Sequence, residues 1–91
     1  MITIDVSAVT DERALHLLLK RELGFPDFYG MNWDAFWDAI TALVSIPEHV
    51  RFLGWDHLEA GVPDGAAMLR RALDDYQAKY RPAFIAEHAQ R

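Results

Sequence analysis

The sequence predicts an α/β fold built on a parallel sheet, and three observations support this. A short segment of alternating apolar and polar residues opens the chain. Two further strand-like segments follow later, and long amphipathic helical patterns separate all three, so strands and helices alternate along the chain. With 91 residues, 52% of them hydrophobic, the chain is expected to form one domain spanning 1–91 with a core large enough to fold alone.

Ile2, Ile4 and Val6 alternate with Thr3 and Asp5, which reads as the first strand. Thr10 or Asp11 can cap a helix running to about Leu23, with Leu15, Leu18, Leu19 and Leu23 on one stripe. Gly24 follows, where a helix end favours a residue tolerant of left-handed dihedrals. Phe25 to Met31 combines turn residues with aromatics and reads as a loop. Asn32 is a good N-cap for a second helix over about Trp33 to Val44, ended by Pro47. Val50 to Leu53 reads as the second strand, Trp55 to Ala60 as a short helix, and Gly61 to Gly65 as a loop. A last long helix is expected from about Ala66 to Tyr80, with Leu69, Leu73, Tyr76 and Tyr80 on its apolar stripe. Pro82 ends it, and Ala83 to Ala86 reads as a weak third strand.

Composition narrows the functional classes. The net charge is −5, so the chain repels nucleic acid overall, and a basic protein partner is electrostatically more plausible than RNA or DNA. There is no cysteine, hence no disulfide frame and no thiolate zinc site, which suits a reducing cytoplasm. The N-terminus lacks the basic and apolar regions of a signal peptide, and no stretch approaches the roughly 20 apolar residues of a membrane span. A cytoplasmic protein with no membrane contact, monomeric when free, is expected. The four histidines (His16, His49, His57, His88) are scattered with no i, i+4 zinc pair, and no phosphate-binding glycine loop or nucleophile motif is present. Asp34 with Asp38 as an acid–base pair, and Asp27 as a metal ligand, is a weak catalytic signal; no enzyme activity, cofactor or metal is expected.

The second helix carries the strongest signal. At about 100° per residue from Asp34, Trp33, Phe36, Ile40, Leu43 and Val44 fall on one arc, the expected core face. Asp38 and Thr41 fall within about 40° of Asp34, Ala35, Ala39 and Ala42 form a smooth strip beside them, and Trp37 falls on the border. Like charges at i, i+4 slightly destabilise an isolated helix, and residues 24–45 contain three aspartates but no lysine or arginine. Small alanines let a partner's backbone approach, the acids can accept bonds from its cations, and the adjoining loop with Phe28 and Tyr29 can supply anchors. The competing reading is an ordinary solvated face, with Asp34 serving only the helix dipole.

The segment Pro26-Asp27-Phe28-Tyr29-Gly30-Met31-Asn32-Trp33-Asp34-Ala35-Phe36-Trp37-Asp38-Ala39 is similar to the signature of the barstar family. There an aromatic-Tyr-Gly loop, an Asn cap and Asp-Ala-hydrophobic-Trp-Asp follow in order. The similarity runs from near the first strand to about His88 and includes Leu19-Lys20-Arg21-Glu22-Leu23, Thr41, Val44 and Pro47. The resemblance implies a two-layer α/β fold, with a three-stranded parallel sheet in order 1-2-3 and helices on one side. It also implies an inhibitor of a secreted ribonuclease or toxin nuclease domain with a basic active site. Carried over by motif position, Asp38 would enter the phosphate pocket and Asp34 would pair with a further basic residue. Asn32, Ala35, Thr41 and Ala42 would line the contact, Phe28 would stack on the enzyme's active-site loop, and Tyr29 and Trp37 complete the set. Asp75 matches a family glutamate that also contacts the enzyme, although Arg71 and Lys79 four residues either side could instead pair with it. Phe28 stands where the family has tyrosine, Leu43 where it has tryptophan, and Ser45 where it has an acid. The departures at Leu43 and Ser45 favour an alternative, an immunity or regulatory interaction module whose target is not a ribonuclease.

Overall fold

A computed structural model describes residues 1–90; of the predicted 1–91 unit, Arg91 lies outside the described residues. Strands β1 (Ile2–Asp5), β2 (His49–Leu53) and β3 (Ile85–Ala89) form one parallel sheet in the order β1-β2-β3. Parallel neighbours need long crossovers, and these are helical. Between β1 and β2 run α1 (Glu12–Leu23) and α2 (Trp33–Asp38), the latter continuing as a π turn over Ala39–Leu43. Between β2 and β3 run α3 (Trp55–Gly61) and α4 (Pro63–Lys79).

The register places Ile4 beside Phe52 and Val50 beside Ala86 on one face of the sheet. Ile4, Val50 and Phe52 are buried there beneath the helices, with Leu15, Leu19, Phe36, Leu58 and Leu69. The opposite face stays open and carries Thr3, Arg51 and Glu87. On it Glu87 pairs with Arg51 Nε at 3.2 Å and lies 3.3 Å from His49 Nε2; exposed pairs of this kind contribute about 0–1 kcal/mol. One buried and one open face make the two-layer α/β architecture that the sequence predicts.

Local chemistry explains the helix limits. The Asp11 side chain accepts from the Ala14 N–H at 2.8 Å and caps α1. Gly24 ends it in the left-handed region with φ 72°.

Several boundaries differ from the sequence reading, most of all in the second half of the chain, where β3 runs to Ala89 and not Ala86. Helix α4 starts at Pro63, not Ala66, because proline at the first helical position has a suitable φ and its missing N–H is not needed there. The expected loop from Gly61 to Gly65 therefore shrinks to Val62. Gly65 serves close packing inside the helix, where a Cβ would come 2.9 Å from Val62 Cγ1 and 3.2 Å from Leu15 Cδ2. Strand β3 begins at Ile85, not Ala83, because a turn after Pro82 sends Phe84 into the core, 1% exposed, with its carbonyl accepting from Gln77 Nε2 at 2.7 Å. Tyr80, expected on the buried stripe, lies just past the end of α4 and is 57% exposed.

Candidate protein-binding site

Asn32 sets the start of α2. Its Oδ1 accepts from the Ala35 N–H at 2.7 Å while its Nδ2 donates to the Gly30 carbonyl at 3.2 Å. One amide thus caps the helix and ties the preceding loop to it. Asn32→Ala is expected to cost about 1 kcal/mol of stability, read as a lower urea midpoint at unchanged slope. Met31, just before the cap, holds φ 56°, a conformation that costs a non-glycine residue on the order of 1 kcal/mol.

The end of α2 departs from regular helix. The Val44 N–H donates to the Ala39 carbonyl at 3.0 Å, five residues back. An inserted residue of this kind delays the following side chains by about 100°. Leu43, expected in the core, is consequently turned outward and 49% exposed. Ala39, expected in the exposed alanine strip, opens the π turn and is completely buried. Val44, expected as the last helical residue, is already extended.

Asp34 and Asp38 both point to solvent, one turn apart. Neither has a hydrogen bond or ion pair among the described residues. Asp38 borders a depression of about 260 Å³ lined by Phe28, Tyr29, Gly30, Ala35 and Leu43. Phe28 is 76% exposed at its edge. Asp34 borders a second depression of about 180 Å³, between α2 and α4, with Trp37, Met68, Arg71 and Asp75. Asp75 is half-buried and makes no ion pair with Arg71 or Lys79; the Lys79 ammonium instead lies 5.8 Å from the centre of the Trp37 ring. Thr41 and Ala42 line a third depression of about 330 Å³ with Leu43, Ser45, Tyr80 and Arg81. The Thr41 hydroxyl donates to the Trp37 carbonyl at 2.7 Å.

Tyr29 is not the exposed anchor that the loop composition suggests. It is 7% exposed, packs on Phe25 at 4.8 Å between ring centres, and its hydroxyl is hydrogen-bonded to His16 Nδ1 at 2.6 Å. The Trp33 indole N–H donates to Glu12 Oε1 at 2.9 Å, so two contacts moor the loop and α2 to α1. The reading of the sequence missed His16 and Leu43. The first is a histidine in an otherwise apolar helix stripe, and the second is hidden by the π turn.

Burial holds the His16 imidazole below its ordinary pKa, with the Glu12 carboxylate opposing in part. Burial likewise raises the Tyr29 hydroxyl. His88, between Phe52 and Trp55, is also lowered, by burial and by Arg70, against Asp74 and Glu59. An unfolded histidine takes up its proton near pH 6.5 and these two do so only lower, so the unfolded state binds more protons in between. Their contribution is complete above pH 6.5 and falls as the pH drops below it. Urea midpoints are expected to decline on acidification through that window. His16→Gln, which keeps a partner for Tyr29, should flatten the decline and leave the share of His88.

Among the described residues, no three His, Asp or Glu side chains cluster to hold a metal ion, and no helix is long and apolar enough to cross a membrane. A three-stranded parallel α/β frame whose second helix shows unpaired carboxylates above an aromatic loop defines a class of protein. The chain belongs to the barstar family, the one described as Barstar (barnase inhibitor), which matches residues 1–89. It is 46% identical over 46 residues to the "Putative ribonuclease inhibitor YrdF" of Bacillus subtilis (strain 168). That stretch covers 50% of each protein, so the match spans about half the length of this relative.

Proposed function

We propose that the chain inhibits a secreted ribonuclease inside the cell that makes it, by plugging the enzyme's basic cleft with the exposed face of α2. The observation that carries this reading is the pair Asp34 and Asp38, solvent-facing and without internal partners on a face that also presents Phe28 and Ala35. A cleft that holds RNA phosphates must be cationic, and carboxylates can occupy it without offering a cleavable bond. The net charge of −5 favours fast encounter with such an enzyme. Asn32, Ala35, Trp37, Thr41, Ala42 and Asp75 border the same face and belong to the proposed contact. Tyr29 acts by holding the loop from beneath. The free protein acts as a monomer, without cofactor or catalysis of its own.

The test is titration into barnase, the enzyme named in the family's description, while following RNA cleavage. Stoichiometric loss of cleavage is expected; full cleavage at micromolar excess overturns the reading. In that event the exposed Leu43 and the adjacent Ser45 favour a second reading, an immunity or regulatory module with another target.

A further inference from the structure

The carboxylates of α2 lie among apolar side chains of which the plug reading uses only Phe28. Of seven large hydrophobics exposed among the described residues, four border α2: Phe28, Leu43, Met68 and Tyr80. Two of them come from α4 or just beyond it. Met68, 40% exposed, lines the depression that holds Asp34 and Trp37. Tyr80, 57% exposed, lines the depression that holds Thr41 and Ala42, and its ring meets Trp37 edge-on at 5.8 Å between centres. Trp37 thus lies between two exposed apolar residues of another element, and Leu43 closes the side next to Asp38.

Interfaces more often have an apolar centre and a polar rim. Here exposed apolar groups lie outside the charge instead: Phe28 and Leu43 beside Asp38, Met68 beside Asp34 along with Arg71 and Asp75, and Tyr80 beyond Trp37. Such a border has a definite physical effect. Once docked it keeps water from the central ion pairs, lowers the local dielectric and strengthens their attraction. It contributes little to encounter, because desolvation follows docking.

We propose that Met68 and Tyr80, with Leu43, form an apolar seal around Asp34 and Asp38, matched by a ribonuclease with apolar or aromatic side chains on the rim of its cationic cleft. The inference rests on the ribonuclease reading and extends the footprint on α4 from Asp75 to Met68 and, just past the helix, Tyr80.

The test measures association and dissociation rates with barnase for Met68→Ser, Tyr80→Ser and the double variant. Ile85→Ser is the control, since Ile85 is 50% exposed on the open sheet face. Thermal unfolding checks that each variant is folded; should the double variant not fold, Met68→Ser alone carries the test with a threefold effect, and Met68→Leu should restore the rate. The double variant is expected to dissociate about tenfold faster with association and its salt dependence unchanged. Asp34→Ala should do the reverse, slowing association and weakening its salt dependence. Dissociation of the double variant at the rate of the Ile85→Ser control, while the unaltered protein binds, overturns this inference alone. Failure of the unaltered protein to bind overturns the ribonuclease reading and this inference together.

Discussion

Asp38→Ala is expected to weaken ribonuclease binding by about 2–5 kcal/mol, or roughly thirty- to several-thousand-fold in Kd. Truncating one partner of a buried charge pair has this scale in general, and barnase–barstar is the complex in which such pairs are best known. The argument for this chain concerns what the carboxylate has before and after docking. In the free protein it is solvated and has no partner among the described residues. In the proposed complex it would lose that water, with only the cations of the enzyme to replace it. Truncation then strands those cations in a site from which water is excluded, which costs far more than losing an exposed pair. Asp34→Ala should cost less, since the motif places Asp38 in the phosphate pocket and Asp34 only beside a further basic residue. An exposed acid elsewhere, Glu59 on α3, should contribute almost nothing. Fold stability should stay within about 0.5 kcal/mol in Asp38→Ala, because removing one of two like charges at i, i+4 relieves a small repulsion. Inhibition titrations with matched melting curves check both statements. If Asp38→Ala binds no more weakly than Glu59→Ala, the acidic face is not the plug.

Much of the frame was legible from local rules. Asp11 and Asn32 cap the helices that their side chains suggest, Gly24 stops α1, and the first two strands lie where alternation puts them. These features depend on groups a few residues apart, which a linear pattern contains. The errors came from tertiary packing. Gly65 looks like punctuation, yet it is small because α1 lies against it. Strand β3 has a weak pattern because its members include Glu87 and His88, and Phe84 just before it enters the core. The π turn cannot be read from a wheel of constant pitch, so Leu43 is exposed where the core was expected, whereas Ala39, still in regular helix beside Phe36 and Ile40, is buried by the core arc being wider than the wheel predicts. Tyr29 illustrates a further limit: its loop composition suits an anchor, and only the position of His16 on α1 shows that the ring turns inward. The motif names the two exposed aspartates of α2 but says nothing of Met68 and Tyr80, which lie in and just beyond α4, distant in sequence.

Phe36→Ala is expected to cost about 3–5 kcal/mol of stability, a large part of the 5–15 kcal/mol that such a domain possesses. Phe36 is completely buried and is the residue through which α2 enters the core. Its ring meets Phe25 at 5.7 Å and Trp33 at 5.4 Å, both near edge-to-face, an arrangement that contributes beyond the area buried. Through Phe25 the contact passes to Tyr29, and through Tyr29 to His16 on α1. Removing the ring therefore opens a cavity beneath the helix that carries Asp34 and Asp38 and loosens the loop that carries Phe28. The melting temperature should fall by about 15 °C or more. Phe36→Leu, which refills most of the volume, should recover much of the loss. Inhibition by Phe36→Ala should decline in proportion to the unfolded fraction, whereas Asp38→Ala loses affinity while fully folded. Urea unfolding and inhibition measured on the same samples separate the two effects. A cost below about 1 kcal/mol for Phe36→Ala means that α2 is held chiefly by other contacts, such as the Trp33–Glu12 bond, and that this aromatic cluster does not set its position.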